Sequence, residues 1–138
     1  MSNFLAIDYG TKRIGLAMNV ASLVEPLLVL DNQTSDSQPV ASLEVLQQIG
    51  ELCKQHQIKQ IILGYSEAAM AEKIELFAEL LKTKIALPII FSDETLSSHA
   101  VAQKMKEARF SLKKRQGPID HFSAALILED FLESQPRL

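Results

Sequence analysis

The chain has 138 residues, of which 47% are hydrophobic and 22% charged, with a net charge of −3. This is the balance of an ordinary globular protein, and the length sets an expectation of one domain, residues 1–138, able to bury roughly two-thirds of its unfolded surface. Cys53 is the single cysteine, which excludes an internal disulfide and fits a reducing compartment. No apolar stretch approaches the ~20 residues of a membrane span, and no basic, apolar leader opens the chain. The expectation is a cytoplasmic protein, monomeric or weakly dimeric.

In chain order, Asn3–Asp8 and Arg13–Asn19 are two β runs joined by a short Gly-containing connection, the pattern of a hairpin. Pro26–Leu30 reads as a third antiparallel strand, and the polar stretch Asp31–Gln38 as a surface loop. Pro39 opens a helix in this reading, with Val40, Leu43, Leu46, Ile49 and Leu52 on one face. Lys59–Gly64 is a short continuous apolar run, as expected of a strand covered on both faces. Ala69–Lys82 is helical with Ile74, Phe77, Leu80 and Leu81 inward, and Pro88–Ser92 is another buried strand. Thr95–Arg109 and Pro118–Leu132 complete the chain as helices. The order implies an α/β fold, a mixed sheet of three antiparallel strands followed by parallel ones, flanked by helices.

Three places put an acid where packing alone would not. Asp8 ends the first strand, Asp93 and Glu94 end the last, and Asp120 lies in the first turn of the final helix. From Asp120 the same helical face carries Ala124, Ile127 and Phe131, so the acid caps a buried stripe. Strand ends and a helix N-terminus at one sheet edge can converge on one crevice. Converging carboxylates repel unless a cation neutralises them, and Mg²⁺ takes one or two carboxylates plus substrate phosphates. Two such ions about 4 Å apart activate a water and stabilise a leaving oxygen. Each acid also has a plain structural reading. Asp8 suits a turn before Gly10, Asp93 suits a helix cap, and Asp120 suits the positive end of a helix.

The runs Ile7-Asp8-Tyr9-Gly10-Thr11-Lys12-Arg13-Ile14-Gly15-Leu16-Ala17, Asp93-Glu94-Thr95-Leu96-Ser97-Ser98-His99-Ala100 and Ile119-Asp120-x-x-Ser123-Ala124-Ala125-x-Ile127-Leu128 resemble the YqgF/RuvX family over nearly the whole chain. The resemblance implies an RNase H-like fold, related to Holliday junction resolvases. Members are assigned as nucleases that mature the ends of pre-16S ribosomal RNA, which implies metal-dependent phosphodiester hydrolysis with Mg²⁺ or Mn²⁺ on Asp8, Glu94 and Asp120. The chain departs from the family pattern twice. Gly64-Tyr65-Ser66-Glu67-Ala68-Ala69-Met70 stands where the family has a Gly-Leu-Pro loop ending in Asp-Gly, and Thr95 replaces the arginine after Asp-Glu.

Between Lys104 and Arg115 six basic residues stand against Glu107 alone, just before Asp120. Lys113, Lys114 and Arg115, with Lys12 and Arg13 near Asp8, are the candidate contacts to a nucleic-acid backbone; the alternative is a solvated helix end with favourable cations. Nothing resembles a base-reading motif. Two further functions compete with a nuclease acting on pre-rRNA or branched DNA. One is a non-catalytic module binding RNA or ribosomal particles, which the two departures favour. The other is an ATP-dependent phosphotransferase with a similar first phosphate loop, which needs two such domains.

Overall fold

The computed structural model describes residues 2–65, 69–93 and 119–134. β1 (Asn3–Asp8), β2 (Arg13–Val20) and β3 (Leu23–Asp31) form an antiparallel meander. β4 (Ile58–Tyr65) and β5 (Ile89–Asp93) continue the sheet on the other side of β1, both parallel to it. The strand order is β3-β2-β1-β4-β5, with β1 at the centre. Pro26 lies in β3, an edge strand, where its missing N–H is tolerated. Beside it the ladder shifts register, Leu16 pairing with Leu28 and Ala17 with Pro26, so Leu27 is the extra residue of a bulge.

Alternation along the strands sorts the core into two layers. Leu5, Ile7, Ile14, Leu16, Ile61 and Leu63 face α1 (Leu43–Gln55) and α2 (Ala71–Lys84), whose Val45, Ile49, Ile74, Phe77 and Leu81 complete the larger cluster. Ala6, Ala17 and Ile62 face the opposite way and meet Ala124, Ile127, Leu128 and Phe131 of α3 (Ile119–Ser134). Ala6 and Ala17 on the sheet with Ala124 and Ala125 on the helix allow a close approach of the two backbones. No helix among the described residues is long and apolar enough to cross a membrane.

The expected helix beginning at Pro39 begins instead at Leu43, with Ser42 as its N-cap. The Ser42 hydroxyl accepts from the Val45 N–H at 3.3 Å, a stronger start signal than proline upstream. Val40 and Ala41 are still buried in the core, although neither is helical. The polar stretch expected as a surface loop is also corrected at its start: β3 runs through Asp31, and Asn32 is buried at 4% exposure. The helix expected at Thr95–Arg109 lies outside the described residues.

Candidate active site

On β1, Leu5 and Ile7 point to α1 and α2, so Phe4, Ala6 and Asp8 point to the α3 side. Asp8 is 9% exposed. Directly opposite it on β2 is Gly15. On its other side, Leu63 pairs with Ile7, so Gly64 is the next position of β4 beside Asp8, and Gly64 in turn pairs with Ser92 of β5. One level back, the same row is filled by Ala17, Ala6 and Ile62 under α3. Across three adjacent strands, therefore, Asp8 carries the one side chain at its level. The sheet itself sets no side chain against that carboxylate from either neighbouring strand.

The turn after Asp8 is held by its own chemistry. Tyr9 crosses to the other layer, where its ring lies 4.7 Å from that of Phe77 and its hydroxyl donates to the Val40 carbonyl. Burial pushes the Tyr9 phenol above its ordinary value, and the neighbouring Asn32 amide pulls the other way. A methyl group on Gly10 would overlap the Arg13 carbonyl oxygen, so the turn admits only glycine at that point. Asn32 then fastens the loop from beneath, its amide donating to the Gly10 carbonyl at 3.1 Å.

The edge of the sheet where β1 ends gathers several helix N-termini. Ser42, the cap of α1, is joined to Asn32 immediately after β3, while the far end of α1 meets the start of β1 through Asn3 and the His56 carbonyl, 2.9 Å apart. Tyr65, ending β4, reaches Glu75 near the start of α2. Phe131 stacks edge-on against Phe4, at 5.4 Å, by the beginning of β1, and Ala124 packs on Ala17, opposite Ala6. α3 thus runs against β1, and its first turn, which contains Asp120, lies toward the Asp8 edge. Partial positive charge at helix N-termini favours an anion there.

Of the residues expected at the site, Asp8 and the first turn of α3 share one face and one edge. Lys12 and Arg13 are exposed beside them, and Arg13 is in phase with Gly15, on the Asp8 face. Glu94, Lys113, Lys114 and Arg115 lie outside the described residues. Among the described residues no group of three or more His, Cys, Asp or Glu side chains could share a metal ion. The Asp8 carboxylate, flanked by glycines, suits a hard cation of the Mg²⁺ kind, which takes one or two carboxylates and leaves its other positions to water and phosphate oxygens. The sequence reading missed three participants. Gly15 and Gly64 acquire meaning only through register, and Asn32 was hidden in a polar run, two positions after the apolar stretch that ends at Leu30.

Residues 2–134 match the sequence profile of the family described as RuvX: Holliday junction resolvase. The chain belongs to that family. Its relatives include proteins of Chlamydia trachomatis, 33% identical over 96% of this chain and 92% of the relative, and of Koribacter versatilis, 31% identical over 94% and 85%. A third, from Protochlamydia amoebophila, is 29% identical over 97% and 95%. All three carry the name "Putative pre-16S rRNA nuclease". Among solved structures, Thermus thermophilus RuvC in complex with a Holliday junction substrate superposes with a TM-score of 0.66 over the whole of both chains at 15% identity. A second Thermus thermophilus RuvC structure gives 0.59, at 16% identity over 95% of each chain. That likeness bears out the RNase H-like fold for this RuvX-family chain.

Proposed function

We propose that this protein is a divalent-metal-dependent nuclease that hydrolyses phosphodiester bonds in structured nucleic acid, processing the ends of pre-16S rRNA in the cytoplasm. The observation that carries the reading is the setting of Asp8. It is a nearly buried carboxylate at the end of the central strand, with glycines on both neighbouring strands and the first turn of α3 on the same face and edge. A nearly buried carboxylate contributes little to packing here, and the glycines leave space for a phosphate group to approach it. Membership of the family and the shared name of the relatives point to pre-16S rRNA. The junction bound by the RuvC neighbour makes branched DNA the second substrate to try.

In this reading Asp8 holds Mg²⁺ or Mn²⁺ together with Asp120 and Glu94. Glu94 is included because it matches the acidic position of the family's Asp-Glu segment. The ion supplies charge neutralisation at the phosphate and lowers the pKa of an attacking water. Lys12 and Arg13, with Lys113, Lys114 and Arg115, contact the phosphate backbone and set orientation without reading bases. The Tyr65 end of β4 and Thr95, where the chain departs from its family, favour one competing reading: a module that binds RNA or ribosomal particles without cleaving.

The deciding experiment incubates the purified protein and its Asp8→Asn variant with precursor 16S rRNA and with a synthetic four-way junction, in Mg²⁺, Mn²⁺ or chelator. Cleavage that needs the ion and is lost in Asp8→Asn, with cooperative unfolding unchanged, is the expected result. Binding without cleavage under every condition would establish the non-catalytic module instead.

A further inference from the structure

Asn32 is buried at 4% exposure, yet it is among the most connected polar residues described. Its backbone N–H donates to the Lys12 carbonyl at 2.8 Å. Its side-chain amide donates to the Gly10 carbonyl at 3.1 Å and to the Val40 carbonyl at 2.9 Å. Its side-chain oxygen accepts from the Ser42 N–H at 3.2 Å. Both amide hydrogens and the amide oxygen are therefore used. The contacts to Val40 and Ser42 fasten the entry to α1, as any buried loop anchor would. The other two reach the carbonyls of residues 10 and 12, the two sides of the turn that follows Asp8.

We infer that Asn32 is a positioning residue for Asp8, an inference that rests on the proposed role of Asp8. The Asp8 backbone is fixed on one side by its pairing with Gly15. Beyond Asp8 the chain leaves the ladder, and Tyr9–Lys12 is held by Asn32 from below. Asparagine suits this place because it alone among small side chains offers two donors and an acceptor. Aspartate would turn an acceptor toward two carbonyl oxygens, and serine supplies one donor. The glycine at position 10 complements it, since a side chain there would overlap the Arg13 carbonyl oxygen and force open the turn that Asn32 holds. Groups that orient the ligands of a hard cation commonly change affinity or activity by about 10–100-fold when removed. An ion that demands near-ideal octahedral geometry is sensitive to such slack.

The test compares Asn32→Ala with Ser42→Ala. The second removes the hydroxyl that caps α1 but keeps the Ser42 N–H and every contact to the Asp8 turn. Mn²⁺ affinity is read by calorimetry, and kcat and KM for the cleaved substrate are measured at a temperature where each variant is folded by circular dichroism. Asn32→Ala is expected to weaken Mn²⁺ binding and lower kcat by about 10–100-fold each, with KM nearly unchanged, while Ser42→Ala leaves all three at wild-type values. If Asn32→Ala does not fold, Asn32→Ser, which keeps one donor, is expected to show the same split at smaller size. Wild-type Mn²⁺ affinity and kcat in the folded Asn32 variant, or equal losses in Ser42→Ala, overturn the inference. A wild-type protein that neither binds Mn²⁺ nor cleaves overturns the reading of Asp8 itself.

Discussion

Replacing Gly10 with alanine adds one methyl group to the turn that leaves Asp8, and replacing Gly50 adds the same group to the interior of α1. At Gly10 the new Cβ would sit more than about an ångström inside the ~3.5 Å of a favourable contact with the Arg13 carbonyl oxygen, with the Arg13 carbonyl carbon at 3.6 Å and nitrogen at 3.8 Å. That backbone begins β2, paired with Asp31, and cannot swing aside as a side-chain end can. The turn must open, which costs about 1–3 kcal/mol as overpacking. Opening also stretches the Asn32–Gly10 hydrogen bond, worth about 1 kcal/mol. The expected loss is about 2–4 kcal/mol, or roughly 6–16 °C in Tm for a chain of this size. At Gly50 the nearest atom to the added methyl is Ile85 Cγ1 at 3.8 Å, an ordinary contact. There the gain in helix propensity dominates, and stability should rise by about 0.5–1 kcal/mol. Urea unfolding of both variants measures the two shifts in one experiment. A Gly10→Ala protein within about 0.5 kcal/mol of wild type, a change typical of unremarkable surface positions, would refute the close-turn argument.

Phe131→Ala removes a buried aromatic ring between α3 and the sheet and the edge-on partner of Phe4; urea unfolding should record a loss of about 3–5 kcal/mol. Gln57, just past the end of α1, has a φ of 54°, so Gln57→Gly relieves a left-handed conformation and should raise stability by about 1 kcal/mol in the same assay. Burial pushes the Cys53 thiol from 9.0 up to about 11. Because the folded value is the higher, the fold favours the neutral thiol. Its contribution is complete below pH 9 and is lost as the pH rises through 11. The stability difference between wild type and Cys53→Ala should therefore be constant up to pH 9 and shrink above it; a difference that stays level to pH 11 would contradict the assignment.

Much of the architecture was legible because the residues that build it act locally. Asp8 closes β1 where the sequence ends its apolar run, and the 58–65 and 89–93 strands follow their apolar stretches to within a residue or two, although β5, expected to be buried, is a sheet-edge strand with Ile90 and Phe91 exposed. The start of α1 was misplaced because proline marks a first turn only when nothing stronger competes. Ser42 competes, and it is held in place by Asn32 from a different segment. That tie spans ten residues and has no periodicity to betray it. Gly15 and Gly64 were equally opaque as site residues. A glycine in a strand reads as a weakness or a bulge, and it becomes a space beside a carboxylate only once three strands are in register.

The position of the candidate site follows from the directions of the strands. β1 is central, antiparallel to β2 and parallel to β4 and β5, and β3 returns parallel to β1 through β2. The carboxyl ends of four strands therefore arrive at one edge, and β2 alone begins there. Each helix that packs back along the sheet must start near that edge, which brings its unpaired N–H groups with it. Residues as distant in sequence as Asp8, Arg13, Asn32, Ser42 and the first turn of α3 become neighbours for this reason. The opposite edge gathers the helix C-termini and such cations as Lys54 and Lys84. A buried carboxylate at the second edge would face partial negative charge from helix ends. At the first it shares its face with the N-terminal turn of α3, where the partial charge is positive, so the chain direction of β1 determines which of its ends a carboxylate suits.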